Sequence, residues 1–316
     1  MNSKIEKYFK ETLHHLYINP LEKCNLRCKI CYTKKTGDVL TEEKIINFID
    51  RYKQVEKLET ITFCGGEVFL LPYFIRLVNK LTDDGIFVQI ITNGTVNRLN
   101  LITNPNLVNL IVSIDGLEQI HDANRGVGSY QKSLAFLLDA LKQNFHIEIF
   151  SIVHQDNYQQ IDLFESQLKK QFSFLPEITY HPRKPLAYLT GHPTSNIFGE
   201  TNQFNFLNDQ QMIEIMENKK TFPPPNLGCY QIALTSNGSV FGCCEGTIPI
   251  GTIDEPVADL VSRLKSRVDS SINDLSTISM NSSSTKVECL GCSQADFVCG
   301  IKKYLTILNK SNKSSK

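Results

Sequence analysis

Neither sign of charge is in surplus in this 316-residue chain, where 33 Lys and Arg stand against 33 Asp and Glu. A general binder of nucleic acid or of a membrane surface carries a basic excess, so the balance argues against both classes. No apolar run approaches the roughly 18 residues that a membrane-spanning helix needs. The opening stretch, residues 1–12, is too charged and polar for a secretory signal. No internal repeat is visible beyond an alternation of strand and helix patterns. These absences predict a cytoplasmic globular protein, long enough for one large core or two unequal domains.

Cysteine is plentiful, with ten in the chain. A reducing compartment disfavours disulfides. A free thiol can pack as a small hydrophobe, but the distribution here is uneven. Three cysteines lie at 24–31, six lie between 229 and 299, and Cys64 stands alone. Thiols grouped in this way point to metal.

Between residues 13 and 183 strand and helix patterns alternate. Strands are predicted at Leu13–Pro20, Thr60–Cys64, Phe87–Ile91, Leu107–Ile114, Ile147–Val153 and Glu177–Tyr180. Helices are predicted at Glu42–Val55, Pro72–Leu81, Ser129–Lys142 and Gln159–Gln171, the first with Thr41 as N-cap and Glu42 and Glu43 in its first turn. Strands separated by helices imply parallel βαβ units. Six units predict an α/β fold, a partial (β/α)6 TIM-like barrel or open sheet. Residues 184–226 read as a linker with a short helix near Gln210–Glu217. Residues 227–308 read as a small α+β cysteine-rich unit, and 309–316 as a disordered tail.

The chemistry gathers after the predicted strands. Cys24-Asn25-Leu26-Arg27-Cys28-Lys29-Ile30-Cys31 follows the first. Three thiolates at these spacings can converge on one metal centre. A [4Fe–4S] cluster normally takes four, so three leave one iron open, which suits catalysis. Zinc is the rival, but a structural zinc site wants a fourth ligand. The nearby His14 and His15 belong to the preceding strand. Gly65-Gly66-Glu67 follows the second strand and Thr92-Asn93-Gly94 the third. Ser113 and Asp115 close the fourth, and His121-Asp122 leads to Arg125-Gly126. Ligands of parallel α/β folds bind at this end of the sheet. Glycines allow close backbone approach, Glu67 can pair with an ammonium, and Arg125 can pair bidentately with a carboxylate.

Blander readings stand beside these. The glycine pair could merely turn the chain, Asp115-Gly116 is an ordinary turn pair, and Arg125 could form a surface salt bridge. Cys64 reads as a core strand residue. His121, His154 and His181 read as structural or substrate-lining rather than metal-binding.

Cys-x3-Cys-x2-Cys followed by the aromatic Tyr32 resembles the signature of the radical S-adenosylmethionine (AdoMet) superfamily, over roughly residues 13–183. The resemblance implies that Cys24, Cys28 and Cys31 hold a catalytic [4Fe–4S] cluster. It implies that Gly65, Gly66 and Glu67 meet the AdoMet amino group, with Val68 where the family usually has proline. Thr92 and Asn93 would line the nucleoside, Ser113 and Asp115 would lie near the ribose, and Arg125 would meet the AdoMet carboxylate. The implied reaction is reductive cleavage of AdoMet to methionine and a 5′-deoxyadenosyl radical, which takes hydrogen from a substrate. The electron would come from an external donor such as flavodoxin or ferredoxin.

The C-terminal unit resembles the auxiliary-cluster extensions called SPASM and Twitch domains. Cys229 and Cys243 flank a predicted Asn237-Gly238 hairpin turn. Cys289 and Cys292 supply the other half, and Cys299 could replace one of the four. Six thiols are too few for two clusters and favour one auxiliary [4Fe–4S] cluster, with a zinc site as the alternative. Cys244 reads as packing. Proteins resembling this layout often modify ribosomally made peptides. A small-molecule radical dehydrogenase or an activator of a partner enzyme is the second reading. A non-catalytic iron–sulfur or zinc sensor is the third. No leader-binding domain is expected before the first strand.

Overall fold

The computed structural model describes residues 12–31, 33, 35–182, 205–221, 231–242 and 249–277. Strand and helix alternate as the hydrophobic periods predict. The order is β1 (His15–Ile18), α1 (Glu42–Lys53), β2 (Thr60–Phe63), α2 (Phe74–Asp83), β3 (Phe87–Thr92) and β4 (Val108–Ser113). Then come α3 (Glu118–Arg125), α4 (Ser129–Lys142), β5 (His146–Val153), the single turn α5 (Gln155–Tyr158), α6 (Ile161–Phe172) and β6 (Glu177–Pro182). Further along the chain follow α7 (Asp209–Asn218), β7 (Ile232–Leu234), β8 (Ser239–Phe241), β9 (Gly251–Thr252) and α8 (Val257–Thr277). Thr41 caps α1 as expected, its hydroxyl accepting from the Lys44 N–H at 3.3 Å.

All nine of these strands lie in one sheet, in the order β6-β5-β4-β3-β2-β1-β7-β8-β9. Neighbours from β6 to β7 pair in parallel, and β7-β8-β9 pair antiparallel. β6 and β9 form its two edges, so the sheet does not close. The fold is mixed α/β on an open, mainly parallel sheet. β7 pairs directly with β1, so the hairpin that opens the cysteine-rich segment continues the sheet of the first six strands.

The two faces of the sheet differ. One carries Leu16, Ile18, Ile61, Phe63, Val88, Ile90, Leu110, Val112 and Ile149, all fully or nearly fully buried in the main core. The opposite face carries Tyr17, Thr62, Gln89, Ile91, Asn109, Ile111, Glu148 and Phe150, mostly half-buried. A closed TIM barrel fills its interior with bulky branched side chains. This face instead mixes polar groups with Ile91, Ile111 and Phe150. His15 Nε2 lies 2.7 Å from the Thr62 hydroxyl, and that hydroxyl donates to Gln89 Oε1 at 2.7 Å. The chain of bonds runs across three neighbouring strands.

Two features depart from expectation. The β7–β8 hairpin turns through three residues, Ser236-Asn237-Gly238, rather than two. The Gly238 N–H donates to the Thr235 carbonyl at 2.9 Å, and Thr235 N–H to the Ser239 carbonyl at 3.0 Å. Gly238 takes the left-handed conformation at φ 84°, as a three-residue hairpin requires. The second feature is α8, a helix that the cysteine spacing gave no reason to expect. Val257, Leu260, Val261, Leu264 and Val268 recur at helical spacing and are buried.

Candidate functional site

The cysteine loop leaves the C-terminal end of β1 and is held by the loop after β2. Gly66 N–H donates to the Leu21 carbonyl at 2.9 Å, and Glu67 N–H to the Lys23 carbonyl at 3.0 Å. The contact leaves no room for side chains. A Cβ on Gly65 would lie 2.4 Å from the Leu21 carbonyl oxygen, and one on Gly66 would lie 2.0 Å from that of Lys23. The glycine pair is therefore there for backbone-on-backbone packing, and a simple turn does not explain it. Gly66→Ala should push the cysteine loop away. Overpacking of this kind costs about 1–3 kcal/mol. The expected result is a lowered thermal midpoint together with reduced iron uptake on reconstitution. A variant that melts and loads iron like the parent would show that this contact does not position the loop.

Glu67 has no exposed surface. The Thr92 hydroxyl lies 2.9 and 3.0 Å from its two carboxylate oxygens, and its other donors are the Asn93 N–H at 2.9 Å and the Phe69 N–H at 3.2 Å. Burial pushes its carboxyl up to about 7, against these donors, which favour the charged form. The side chain thus ties the turn after β2 to the loop after β3. The expected ammonium contact would have to join this set or fall to the backbone around it. Val68 begins the short turn Val68–Leu70 that Glu67 caps, a first-turn position that proline also suits. Beneath it Phe69 stacks edge-on with Phe74 and Phe136, at centroid distances of 5.4 and 5.8 Å. Such pairs contribute about 0.5–1.5 kcal/mol each and fix the turn to α2 and α4.

Asn93 completes the link to the cysteines. Its Nδ2 donates to Asn25 Oδ1 at 3.0 Å and lies 3.7 Å from the Cys24 sulfur. On the other side of the loop, Lys29 N–H donates to the Asn124 carbonyl of α3 at 2.9 Å.

Asp115 and Arg125, expected as separate ligand contacts, bond to each other. Arg125 donates through Nε at 2.6 Å and Nη2 at 2.9 Å, a bidentate pair in which Asp115 is fully buried and Arg125 is 8% exposed. Asn124 Nδ2 and the Ile152 N–H add bonds of 2.6 and 3.1 Å to the same carboxylate. Burial raises the Asp115 pKa, but the Arg125 charge and these bonds outweigh it and hold the carboxyl at about 2. The arginine is therefore an interior cation and forms no surface salt bridge. Its charge acts on the thiols of Cys28 and Cys31. Ser113 ends β4 two residues before Asp115 and is buried.

The thiols are arranged as follows. Cys24 Sγ accepts from the Leu26 N–H at 3.4 Å, Cys31 Sγ lies 3.1 Å from the Thr33 hydroxyl, and Cys28 is buried. Burial pushes the Cys28 thiol up to about 11, with Arg125 opposing and Cys31, Asp115 and Cys24 adding. Among the described residues no three His, Cys, Asp or Glu side chains stand in metal-ligating geometry. All three thiols nevertheless share one short loop, and the charges of Cys24 and Cys31 are felt at Cys28. A set of three sulfurs with no histidine or carboxylate among them suits iron–sulfur chemistry.

Three buried polar atoms around this loop have no hydrogen-bond partner among the described residues: Asn19 Oδ1, Asn124 Oδ1 and His121 Nε2. Buried polar groups are rarely left so, and their position beside the cysteine loop marks a place where a ligand would be received. No motif in the sequence marks Asn19 or Asn124. Strand parity could have found Asn19, which lies two residues beyond Tyr17 on the open face. His121 bonds the Asp115 N–H through Nδ1 at 3.2 Å, a structural role. Cys229, Cys243, Cys244, Cys289, Cys292, Cys299 and Tyr32 lie outside the described residues.

Residues 18–165 match the family model for the Radical SAM superfamily. The AdoMet-dependent heme synthase of Methanosarcina barkeri is 30% identical over 147 residues, 44% of this chain and 42% of that protein. The sporulation killing factor maturation protein SkfB of Bacillus subtilis is 24% identical over 159 residues, 48% of this chain and 38% of that protein. The chain thus spans about two fifths of the length of these relatives. Among solved structures, Streptococcus suis SuiB bound to S-adenosylmethionine shares the fold at a TM-score of 0.62 and 12% identity, over 82% of this chain and 68% of that one. Native anSMEcpe with bound AdoMet does so at 0.62 and 17% identity, over 94% and 99%. Residues 18–165, a little under half of the chain, are thus similar to the Radical SAM superfamily, and at 12% and 17% identity the two solved structures show the fold alone.

Proposed function

We propose that the chain cleaves AdoMet reductively and uses the resulting radical to modify a ribosomally made peptide. One observation carries the AdoMet part. Four segments that are distant in sequence, at 21–31, 64–67, 92–95 and 113–125, interlock at the C-terminal edge of one parallel sheet. A [4Fe–4S] cluster on Cys24, Cys28 and Cys31 would supply the one-electron chemistry. The chain's own part is to position. Gly65 and Gly66 keep the loop flush with its neighbour, and Glu67 locks the Asn93 loop. Thr92 and Asn93 line the nucleoside, Ser113 and Asp115 border the ribose, and Arg125 offers N–H groups not spent on Asp115 to a carboxylate.

The peptide part rests on likeness and on the open face. SkfB is by name a maturation protein, and SuiB has been solved bound to its precursor peptide SuiA. Other relatives are a GTP 3′,8-cyclase and a nucleotide dehydratase. A phosphorylated nucleotide wants cations. The strand residues of the open face, from His15 to His181, bring no Lys or Arg. Lys220, which reaches that face from beside β6, is engaged by Glu148 and Glu177. Burial holds the His15 pKa down at about 4, with His14 adding, so it is neutral at pH 7. Such a wall suits a substrate with amide and hydroxyl groups.

Residues 13–183 would form the radical core, 184–226 a linker, and 227–308 a Twitch-like unit with one auxiliary [4Fe–4S] cluster. No described helix is long and apolar enough to cross a membrane. The test is anaerobic turnover of reconstituted protein with AdoMet, reductant and a short peptide encoded beside its gene. The peptide should raise 5′-deoxyadenosine formation and leave with an altered mass. An unaltered peptide, with GTP or a small alcohol consumed instead, would overturn the peptide reading and leave the AdoMet reading intact.

A further inference from the structure

Two carboxamides stand side by side on the open face of the sheet. Gln89 of β3 and Asn109 of β4 are level with each other in the parallel register. Adjacent strands lie about 4.8 Å apart, so the two side chains rise from the sheet as neighbours. Both are half-buried. Among the described residues the Asn109 side chain makes no hydrogen bond, and Gln89 makes one, through Oε1 to the Thr62 hydroxyl.

That one bond has a direction. The Thr62 hydroxyl gives its single proton to Gln89 Oε1 at 2.7 Å, so it accepts from His15 Nε2, also at 2.7 Å. Burial keeps His15 uncharged at pH 7, so the ring has one N–H, and this chain of bonds places it on Nε2. Thr62 is itself buried, which fixes the anchor. Gln89 Oε1 is thus tied towards β2. Its Nε2, on the same carbon, turns away from Thr62 and keeps its N–H groups for another partner.

An extended peptide has the complementary pattern. The N–H and C=O of one residue point to the same side, as paired antiparallel strands use them. The C=O can accept from Gln89 Nε2 while the N–H donates to Asn109 Oδ1. A purine edge has a similar pattern, but the strand residues of this face bring no Lys or Arg for its phosphates. The pair also lies apart from the segments assigned to AdoMet. Ile91 and Ile111, level with each other in turn, stand between it and the loops that follow β3 and β4. Gln89 precedes Asn93 by four residues, roughly 13 Å at about 3.3 Å per residue.

We propose that Gln89 and Asn109 grip one extended residue of the peptide substrate, Gln89 donating to its C=O and Asn109 accepting from its N–H, with Thr62 as the positioning residue that aims Gln89. The inference rests on the peptide reading above. The bland alternative is two solvated amides that hold only water.

The test uses the reconstituted holoenzyme, AdoMet, an anaerobic reductant and the short peptide encoded beside the gene. Initial rates of 5′-deoxyadenosine formation against peptide concentration give KM and kcat. Gln89→Met and Asn109→Leu should each raise the peptide KM about five- to tenfold, as loss of a hydrogen bond predicts, with a much smaller change in kcat. The double variant should raise KM by less than the product of the two, because both hold one residue. Thr62→Val should raise KM several-fold and Thr62→Ser should restore most of it. A merely structural role gives the opposite order, since valine keeps the buried volume and serine does not. Iron content reports whether each variant is folded. If the apolar variants lose iron, two near-isosteric ones decide. Gln89→Glu keeps the anchoring oxygen and loses the donors, so KM should rise; Asn109→Asp keeps an acceptor, so KM should hold. Parent-like KM in both Gln89→Met and Asn109→Leu, with the peptide still raising turnover, overturns the grip and leaves the peptide reading standing. A peptide that fails to raise turnover of the parent protein overturns the peptide reading and this inference with it.

Discussion

Replacing Cys24, Cys28 or Cys31 singly by alanine is expected to abolish 5′-deoxyadenosine formation from AdoMet. Three thiolates in one loop leave no spare ligand, and no His, Asp or Glu among the described residues is grouped with them in ligating geometry. Loss of an outer partner of a metal site typically costs about 10–100-fold, and loss of a direct ligand here should exceed that. Cys64 provides the internal control. It is buried just beyond β2, outside the cysteine loop, so Cys64→Ala should retain most of the activity. The measurement is product formation by liquid chromatography under anaerobic reduction, with iron content determined on the same samples. Near-parental activity in any of the three loop variants would refute their assignment as cluster ligands.

The strand and helix elements were largely legible, because period and caps carry them. Thr41 caps its helix, Ser129–Lys142 has the bounds that were predicted, and the parallel order follows from the helices between strands. Side-chain direction was less so. A Gly-Gly-Glu string says that a backbone turns tightly. It does not say that the carboxylate faces inward to Thr92 and Asn93. Asp115 and Arg125 were each legible as polar groups at strand ends, yet their mutual pairing was not. They lie ten residues apart across a turn and a helix, and only the helix phase of α3 points Arg125 back at Asp115. The β1–β7 pairing was beyond reach for another reason. It joins residues more than two hundred apart in the chain, and nothing local in Ile232–Leu234 names its partner. By contrast α8 was legible from its spacing, and metal-like cysteines on either side obscured it.

The polar face follows from the same strand parity. Residues buried against the helices are mostly apolar, Thr92 and Ser151 excepted, so the alternate positions are freer to vary without loss of the core. Evolution of specificity can therefore act on His15, Thr62 and Gln89 while Leu16, Ile61 and Val88 hold the sheet together. On the proposed reading, one face would carry stability and the other substrate choice. This division also explains why the elements read clearly from sequence while the substrate did not.

Removing Cys24, Cys28 and Cys31 together should leave protein that still binds about four irons, against about eight for the parent. The expectation rests on the auxiliary cluster proposed for Cys229, Cys243, Cys289 and Cys292. The hairpin register motivates it. Ile232 is level with Leu16, and Gln231 N–H reaches the Gly242 carbonyl at 3.5 Å. The hairpin's open end therefore lies level with the start of β1, while the cysteine loop leaves from its end. Cys229 precedes Gln231 by two residues, and Cys243 follows Gly242 directly. Along β1 the separation from His15 to Asn19 is roughly 13 Å at about 3.3 Å per residue. Metal binding would also be coupled to folding of the segment that holds these cysteines. Mössbauer spectra of the triple variant should then show a [4Fe–4S] signal with no AdoMet response. Zinc without iron in that variant would remove the electron-relay role from the C-terminal cysteines and leave the radical assignment untouched. Neither metal would mean that these six thiols serve packing or some other end.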